Sequence, residues 1–503
     1  MNKSYLVGID IGTSSIKVVL TDECGTKLYS HCRPHEILQP RPGYVEQDAE
    51  NAWWAGAREG IRACIEGSGV DAARIEGVCA SGMVPSFCPL DQNGMPVRPA
   101  ILYRDNRAIA QADRLTRELG CTFTLQDVTP KLLWIKEEEP ECYARIRMVL
   151  NPHSYVAYKL TGQYNVDTDI AAIFGNAYDD GRRAWNRDRV RAMGLDPDIL
   201  PPVYRPTDIV GKVTREAEAE TGLIAGTPVV AGTGDSYTVL VGTGTVEAGE
   251  GVIYLGTAAT FLGLRRSLDE LLGQPPFANG DVVFLANVLT GGEIARWFSK
   301  SVLMEGSPGF DELERMAHAV PEGSDGLYML PHLLGERTPR VDPLAVGTLF
   351  GLTSGHTTGH IYRALLEGVA FALRESYEEV YMPLSRVMVG GGGGNSPLWR
   401  QMLADILRLE LEYTPAADNA LGTAYLAGLA LNMYQGFGTM KREWLKDKRI
   451  ITPDPCAAEV YDRHYAFYRD LNAIVQPAYR QRSRSFEKGI SYEDQRICRK
   501  LQP

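Results

Sequence analysis

Two stretches of this 503-residue chain follow one plan, and that recurrence limits its possible folds more than any other feature. The first, YLVGIDIGTSSIKVVLT from Tyr5 to Thr21, sets two apolar, β-prone runs on either side of the small-residue turn Gly12-Thr13-Ser14-Ser15. Such a pattern predicts a β-hairpin. The second, Val252–Leu262, repeats the order of apolar run, Gly256-Thr257, small residues and apolar run, beginning near the middle of the chain. A recurrence of so long a period predicts duplicated domains. Here they would be two α/β halves that each open on a Gly-Thr hairpin and divide near residue 248. Asp10 ends the first apolar run, where packing gives no reason for a carboxylate. Gly12 permits close approach of another backbone or a ligand. Thr13, Ser14 and Ser15 add hydroxyls and unhindered amides, the donors a phosphate needs. Together these residues fit a cradle for a magnesium nucleotide, and equally a plain hairpin.

The chain is too long for one hydrophobic core. Its 44% hydrophobic and 23% charged residues are those of a soluble globular protein. A net charge of −11 argues against nucleic acid or an anionic membrane as the main partner. Nine cysteines, from Cys24 and Cys32 to Cys456 and Cys498, include no C-x-x-C pair, so reduced thiols are expected rather than disulfides or zinc. His356 and His360 share the spacing of one helical face, but Thr357 stands where a zinc-protease helix has Glu and no third ligand is near. That pair reads as chance. With no basic-plus-apolar leader and no apolar run of about 20 residues, the expectation is a cytoplasmic protein.

In chain order, Thr26–Arg33 reads as a third strand and Ala49–Glu66 as a helix. Arg74–Ser81 is a buried strand feeding Gly82-Met83-Val84-Pro85-Ser86, and Pro99–Tyr103 feeds Arg104-Asp105-Asn106-Arg107. Loops of mixed polarity after strands are where α/β proteins hold ligands. Val229–Ala231 is a strand that runs into Gly232-Thr233-Gly234-Asp235-Ser236. In the second half, Thr290-Gly291-Gly292 opens a helix through Trp297, and His360–Val380 is helical. Arg386–Val389 enters five glycines, Gly390–Gly394, after which Ser396 and Pro397 fit the N-cap and first turn of a helix through Leu407. Strand, glycines and helix N-terminus form the layout in which backbone comes close to a nucleotide. It is neither a Walker A loop nor the dinucleotide fingerprint. Asn419–Leu431 is a small-residue helix, and the tail from Ala457 is helical, then basic. Trp134 and Trp399 sit at helical spacing and are expected in the core.

Several blocks then make the resemblance specific. Thr129–Glu138 (TPKLLWIKEE), Val229–Asp235 (VVAGTGD), Gly335–Pro339 (GERTP), Gly347–Glu367 and Gly391–Gln401 (GGGGNSPLWRQ) are similar, in order, to blocks of the FGGY carbohydrate kinases. The wording is nearest to xylulokinases. The resemblance implies two ribonuclease H-like domains of the actin/Hsp70/sugar kinase superfamily around a central interdomain cleft. Residues 1–248 would carry the sugar site and the first phosphate hairpin. Residues 249–503 would carry the nucleotide, with a helical tail from about 457. The implied activity is ATP-dependent phosphorylation of a sugar hydroxyl, with Asp235 as general base and Asp10 holding Mg²⁺ through water. Gly12, Thr13 and Lys17 in the first half, and Gly256 and Thr257 in the second, would take phosphates. Gly292, Arg296, Gly392, Gly393 and Ser396 would complete the nucleotide site. A homodimer is implied as well.

The match fails at the sugar. Xylulokinases have Gln-Met-His where this chain has Met83-Val84-Pro85, and Asn-Asp-Gln-Arg where it has Arg104-Asp105-Asn106-Arg107. Pro85 removes a polar partner, Asp105 is a candidate hydroxyl acceptor, and Arg104 fits either an acidic substrate or a plain surface. A pentulose is the first expectation, with a tetrulose, a polyol or an aldonate such as gluconate as alternatives. A non-catalytic sugar sensor and an ATPase chaperone or filament protein are readings from other classes.

Overall fold

The computed structural model describes residues 3–303 and 308–489. It resolves into two compact units. The first comprises Met1–Ala248, Leu264–Val282 and Ala416–Asp447; the second comprises Gly249–Gly263, Val283–Pro415 and Lys448–Pro503. A single cut at residue 248 therefore leaves out two later stretches that pack with the first unit.

The first unit is built on a six-stranded sheet. Tyr5–Ile11 (β1), Ser15–Asp22 (β2) and Lys27–Pro34 (β3) form the antiparallel meander foreseen in the sequence. Ile75–Gly82 (β4) joins β1 in parallel; Ile209–Lys212 (β5) and Pro228–Gly234 (β6) complete the order β5-β6-β4-β1-β2-β3. Alternation along the strands decides which side chains meet the core. Val7, Ile9, Ile11, Ile16, Val18 and Leu20 share one core cluster with Ala57 and Ile61 of the helix Ala55–Ser68 (α1). The expected helix from Ala49 is not continuous: Glu50–Trp54 is a wider turn before α1 begins. A second apolar cluster in this unit gathers Phe87, Leu132, Phe174 and Leu195.

The second unit repeats the plan. Glu250–Leu255 (β7), Ala259–Leu264 (β8) and Val282–Val288 (β9) give the meander, and Arg386–Gly390 (β10) and Leu411–Tyr413 (β11) add parallel strands. Arg449–Ile451 (β12) closes the order β9-β8-β7-β10-β11-β12. In both sheets the opening strand pairs with its hairpin partner on one side and with a parallel strand on the other. The duplication read from the two Gly-Thr turns is thus a duplication of topology.

Helices extend these sheets. Asp235–Gly242 (α2) follows β6 directly; Gly292–Trp297 (α3), Thr358–Val380 (α4) and Pro397–Leu407 (α5) belong to the second unit. Asn419–Ala430 (α6), expected with the second half, instead lies on the first sheet. Its composition explains the placement, because every residue from Asn419 to Gly428 is buried and a helix apolar all round needs walls on several sides. Glycines let those walls come within backbone contact. A Cβ at Gly8 of β1 would stand 2.1 Å from the Ala420 carbonyl oxygen, and one at Gly422 would stand 2.4 Å from that of Thr238 in α2.

Other expectations divide. The described cysteines are all free, while Cys498 lies outside the described residues. Trp399 is buried, but Trp134 is only half-buried and faces the guanidinium groups of Arg98 and Arg107 at 5.8 and 4.9 Å. His360 serves the capping box that opens α4, and among the described residues no group of three His, Cys, Asp or Glu side chains is placed to hold a metal. No described helix is long and apolar enough to cross a membrane.

Filling the α2–α6 contact tests its weight. Gly422→Ala is expected to lower unfolding free energy by about 1–3 kcal/mol in a urea titration, as overpacking against backbone does. Gly392→Ala, whose Cβ would meet nothing within 4 Å, serves as the control and should shift stability by less than about 0.5 kcal/mol. Equal midpoints for the two variants would show that the α6 contact is not tight.

Candidate functional site

The first unit brings together three carboxylates that the sequence separates widely. Asp10 lies on the same face of β1 as Gly8, opposite Lys17 of β2 and beside Ser81 of β4. Its Oδ1 accepts hydrogen bonds from Ser81 Oγ (3.2 Å) and Asn419 Nδ2 (2.8 Å). Asn419 also accepts one from the Thr238 hydroxyl of α2, and Thr423 Oγ1 donates to Ser81 Oγ at 2.9 Å. The start of α6 thus clamps Asp10 to the helix that carries Asp235. Asp235 itself is the first residue of α2, with Gly234 as the cap.

Electrostatics follow from this packing. Burial pushes the Asp10 pKa up to about 8, reinforced by the negative charges of Asp235 and Asp418 and offset by Ser81 and Lys17. Burial likewise raises Asp235 to about 7, against hydrogen bonds from the Ser236 amide and hydroxyl. Asp418 differs. Burial pushes it up, but Lys27 and Lys17 outweigh burial and hold it below the ordinary carboxylate range. Lys17 pairs with Asp418, as does Lys27 at 3.4 Å, while Asp418 Oδ1 caps α6 through the amides of Ala420 (2.9 Å) and Leu421 (3.4 Å). Lys17, expected on a phosphate, is therefore engaged by a carboxylate that sequence reasoning passed over. The donor set suits a hydrated Mg²⁺, which takes one or two carboxylates and completes its shell with water and phosphate oxygens.

The remaining first-unit candidates border this cluster unevenly. In the β1–β2 turn, Gly12 O lies 3.0 Å from His35 Nε2, Thr13 O accepts from Gln47 Nε2 (2.9 Å), and Thr13 Oγ1 lies 3.5 Å from the Tyr103 hydroxyl. Met83 and Pro85 are buried and Val84 is half-buried. A Cβ at Gly234 would sit 2.7 Å from Val84 Cγ2, which places the Met83–Pro85 run against the residue before Asp235. Arg104 is half-buried. Asp105 does not fit its expected role. It is fully buried and accepts from Val45 N (2.6 Å), Arg107 N (3.0 Å), Arg107 Nε (2.8 Å) and Arg107 Nη2 (2.7 Å), so no lone pair faces a sugar.

In the second unit, one cavity of about 490 Å³ is lined by Gly256, Thr257, Gly292, Arg296, Gly392, Gly393 and Ser396 together. These are all the nucleotide candidates that the sequence supplied for this half, and the volume falls in the range of small-molecule sites. Glycine is required where backbones meet: a Cβ at Gly292 would lie 2.6 Å from Gly256 O, and Gly391 adopts φ +83° with its Cβ position 2.7 Å from the Leu255 carbonyl. Phe310, Tyr362 and Glu314 also line the cavity and were not singled out in advance; Trp399, expected in the core, lines it as well. Glu314 accepts from Ser396 Oγ (2.9 Å) and Leu398 N (3.0 Å), so a carboxylate already caps α5. The Leu398 amide and the Ser396 hydroxyl are thereby already engaged within the protein. Arg296 pairs with Glu293 one turn away.

Comparison with known proteins bears on both units. The family model of the FGGY carbohydrate kinase N-terminal domain matches residues 5–242, and that of the C-terminal domain matches residues 251–431. A xylulose kinase of Bacillus subtilis strain 168 is 30% identical over 491 residues, covering 93% of this chain and 96% of its own. The solved xylulose kinase of Rhodospirillum rubrum is 30% identical with a TM-score of 0.76, covering 95% of this chain and all of its own. A gluconate kinase from Lactobacillus acidophilus reaches a TM-score of 0.80 at 22% identity, over 95% of this chain and 99% of its own, a likeness of fold.

A test of the carboxylate cluster needs no substrate. With Asp10 near 8 when folded and near 3.8 when unfolded, the folded state holds a proton that the unfolded state has released. The contribution of Asp10 to stability therefore falls as pH rises from about 4 to about 8. In metal-free buffer, Asp10→Asn should gain on the parent between pH 5 and pH 8 by roughly 1–2 kcal/mol, a figure reduced for solvent at a half-buried site. A difference in melting temperature that is the same at both pH values would remove the claim.

Proposed function

We propose for this chain, which belongs to the FGGY family of carbohydrate kinases, that the Asp10–Asp235 cluster and the second-unit cavity are the two parts of its catalytic machinery. The enzyme is an ATP-dependent sugar kinase by family. In this reading the first unit holds the acceptor and the first phosphate turn, and the second unit holds the nucleotide. The observation that carries it is Asp235, a carboxyl at a helix start with its pKa raised to about 7 beside a second, metal-competent carboxylate.

Phosphoryl transfer asks a protein for positioning and charge stabilisation rather than covalent steps. The acceptor hydroxyl oxygen forms a bond to the γ-phosphorus as the bond from that phosphorus to the β–γ bridging oxygen breaks. ADP leaves with the electron pair, and the hydroxyl proton passes to Asp235. A base with a pKa near 7 is matched to this task, because a substantial fraction is ionised near neutral pH and the anion readily takes a proton. Asp10 would hold Mg²⁺ through water, and the ion would offset charge on the transferring phosphates. Lys17 and Lys27 set the position of Asp418, and through α6 that of Asn419 on Asp10. In the second unit the glycines at 256, 292, 392 and 393 let the nucleotide lie against backbone, with Trp399, Tyr362 and Phe310 as apolar walls. The likeness to relatives named for xylulose supports a sugar hydroxyl as acceptor without choosing the sugar; Asp105, spent on Arg107, is not among the acceptor contacts.

Asp235→Ala should lower kcat by about 10²–10⁴, the usual weight of a general base, with ATP affinity unchanged by calorimetry. The parent kcat/KM should rise with pH through about 7, since only ionised Asp235 accepts the proton. Normal turnover in Asp235→Ala would end the assignment. Gly392→Ala, neutral for stability, is expected to raise the ATP dissociation constant by about tenfold, since its methyl would occupy space meant for the ligand. An unchanged constant would move the nucleotide elsewhere.

A further inference from the structure

Arg104 is treated differently from its neighbours. Arg107, with its side chain 1% exposed, is paired with Asp105 and Glu46, both at 2.7 Å. Arg98 is paired with Glu46 and with Glu139 at 2.8 Å. Arg104 stands on the same loop, half-buried, and its Nε is enclosed without a hydrogen-bond partner. Its aromatic contact is with Tyr103, whose ring centroid lies 5.8 Å from the guanidinium carbon. An enclosed guanidinium N–H without an acceptor is unfavourable, which is why such donors are normally paired. Arg98 and Arg107 are paired with carboxylates, whereas the enclosed Nε of Arg104 is left without an acceptor.

The loop holding Arg104 borders the proposed acceptor site. The Tyr103 amide donates to Ser86 Oγ at 3.1 Å, at the end of the Met83–Ser86 run, and its hydroxyl lies 3.5 Å from Thr13 Oγ1. Val84 of that run packs on Gly234, next to Asp235. Resting on the sugar-kinase reading, we propose that Arg104 receives the carboxylate of an open-chain sugar acid, and that this class rather than neutral ketoses is the preferred acceptor. A planar guanidinium matches a carboxylate bidentately. A phosphorylated sugar fits less well. Lys17 and Lys27 are held by Asp418, and Asp10 and Asp235 would repel a dianion more strongly than a monoanion. The acceptor carboxylate takes no part in bond exchange; it fixes which end of the molecule faces Asp235.

The test measures ADP formation by the full chain with ATP and Mg²⁺ across D-gluconate, a keto-sugar acid, the neutral polyol sorbitol and the neutral pentuloses. The expected result is a kcat/KM for a sugar acid about 10²-fold above that for neutral acceptors. Arg104→Gln should erase that preference through KM with kcat little changed, and Arg104→Lys should restore part of it. Melting temperatures of both variants guard against misfolding. A neutral pentulose preferred by parent and Arg104→Gln alike would overturn the proposal. So would an equal loss of kcat with every acceptor, which would place Arg104 on the transferring phosphate. ADP formation with none of the panel would instead strike the kinase reading beneath it.

Discussion

The contact on which the first unit depends is the approach of α6 to β1 and α2 at backbone distance. Gly8, Gly242 and Gly422 remove the side chains that would hold these elements apart. The consequence reaches the chemistry directly. Asp418 and Asn419 begin α6, so the packing depth of that helix sets where a carboxylate and an amide arrive over the sheet. Asn419 then bonds Asp10 on one side and Thr238 on the other. An ordinary helix-on-sheet spacing of about 10 Å would leave Asp10 without these partners.

This geometry also explains how one cluster can hold carboxylates of opposite character. Asp418 receives two lysines and two amides and stays ionised. Asp10 receives neutral donors, Ser81 and Asn419, and stands near two negative neighbours, so its proton is held tightly. Two like charges nearby disfavour a third, so burial and the neighbouring carboxylates act on Asp10 in the same direction. Asp235, whose anion is stabilised by the Ser236 amide and hydroxyl and by its own amide, still has its pKa raised to about 7 by burial. Environment assigns these roles, since the three side chains are chemically identical.

Much of this was legible in the sequence, and the remainder was hidden for definite reasons. The two Gly-Thr turns announced duplicated sheets because apolar alternation with a small-residue turn has few other solutions. Asp10 stood out as a carboxylate at the end of an apolar run, Asp235 through the likeness of VVAGTGD to a family block, and the second-half glycines fell into a single cavity because strand–glycine–helix junctions leave backbone open. Asp418 and Asn419 were passed over because their partners lie about 400 positions away along the chain, and local pattern shows only an ordinary cap. Glu314 escaped for a similar reason, as nothing near it in sequence mentions the helix it caps. Asp105 misled because a polar residue after a strand looks the same whether it faces a ligand or an arginine.

The contrast between the two kinds of site residue has a physical basis. The two carboxylates proposed for phosphoryl transfer, Asp10 and Asp235, sit on a strand and at a helix start, where alternation and backbone contact fix them. The residues proposed for the acceptor side, Met83 to Pro85 and Arg104, sit on loops after strands, where one side chain can change without moving the sheet. Asp105 and Arg107 stabilise that second loop internally, and this frees Arg104 from a structural duty. A loop braced by its own ion pair can carry a new recognition group at little expense to stability. The chain can therefore depart from the xylulokinase wording at the sugar while retaining the wording around the phosphate.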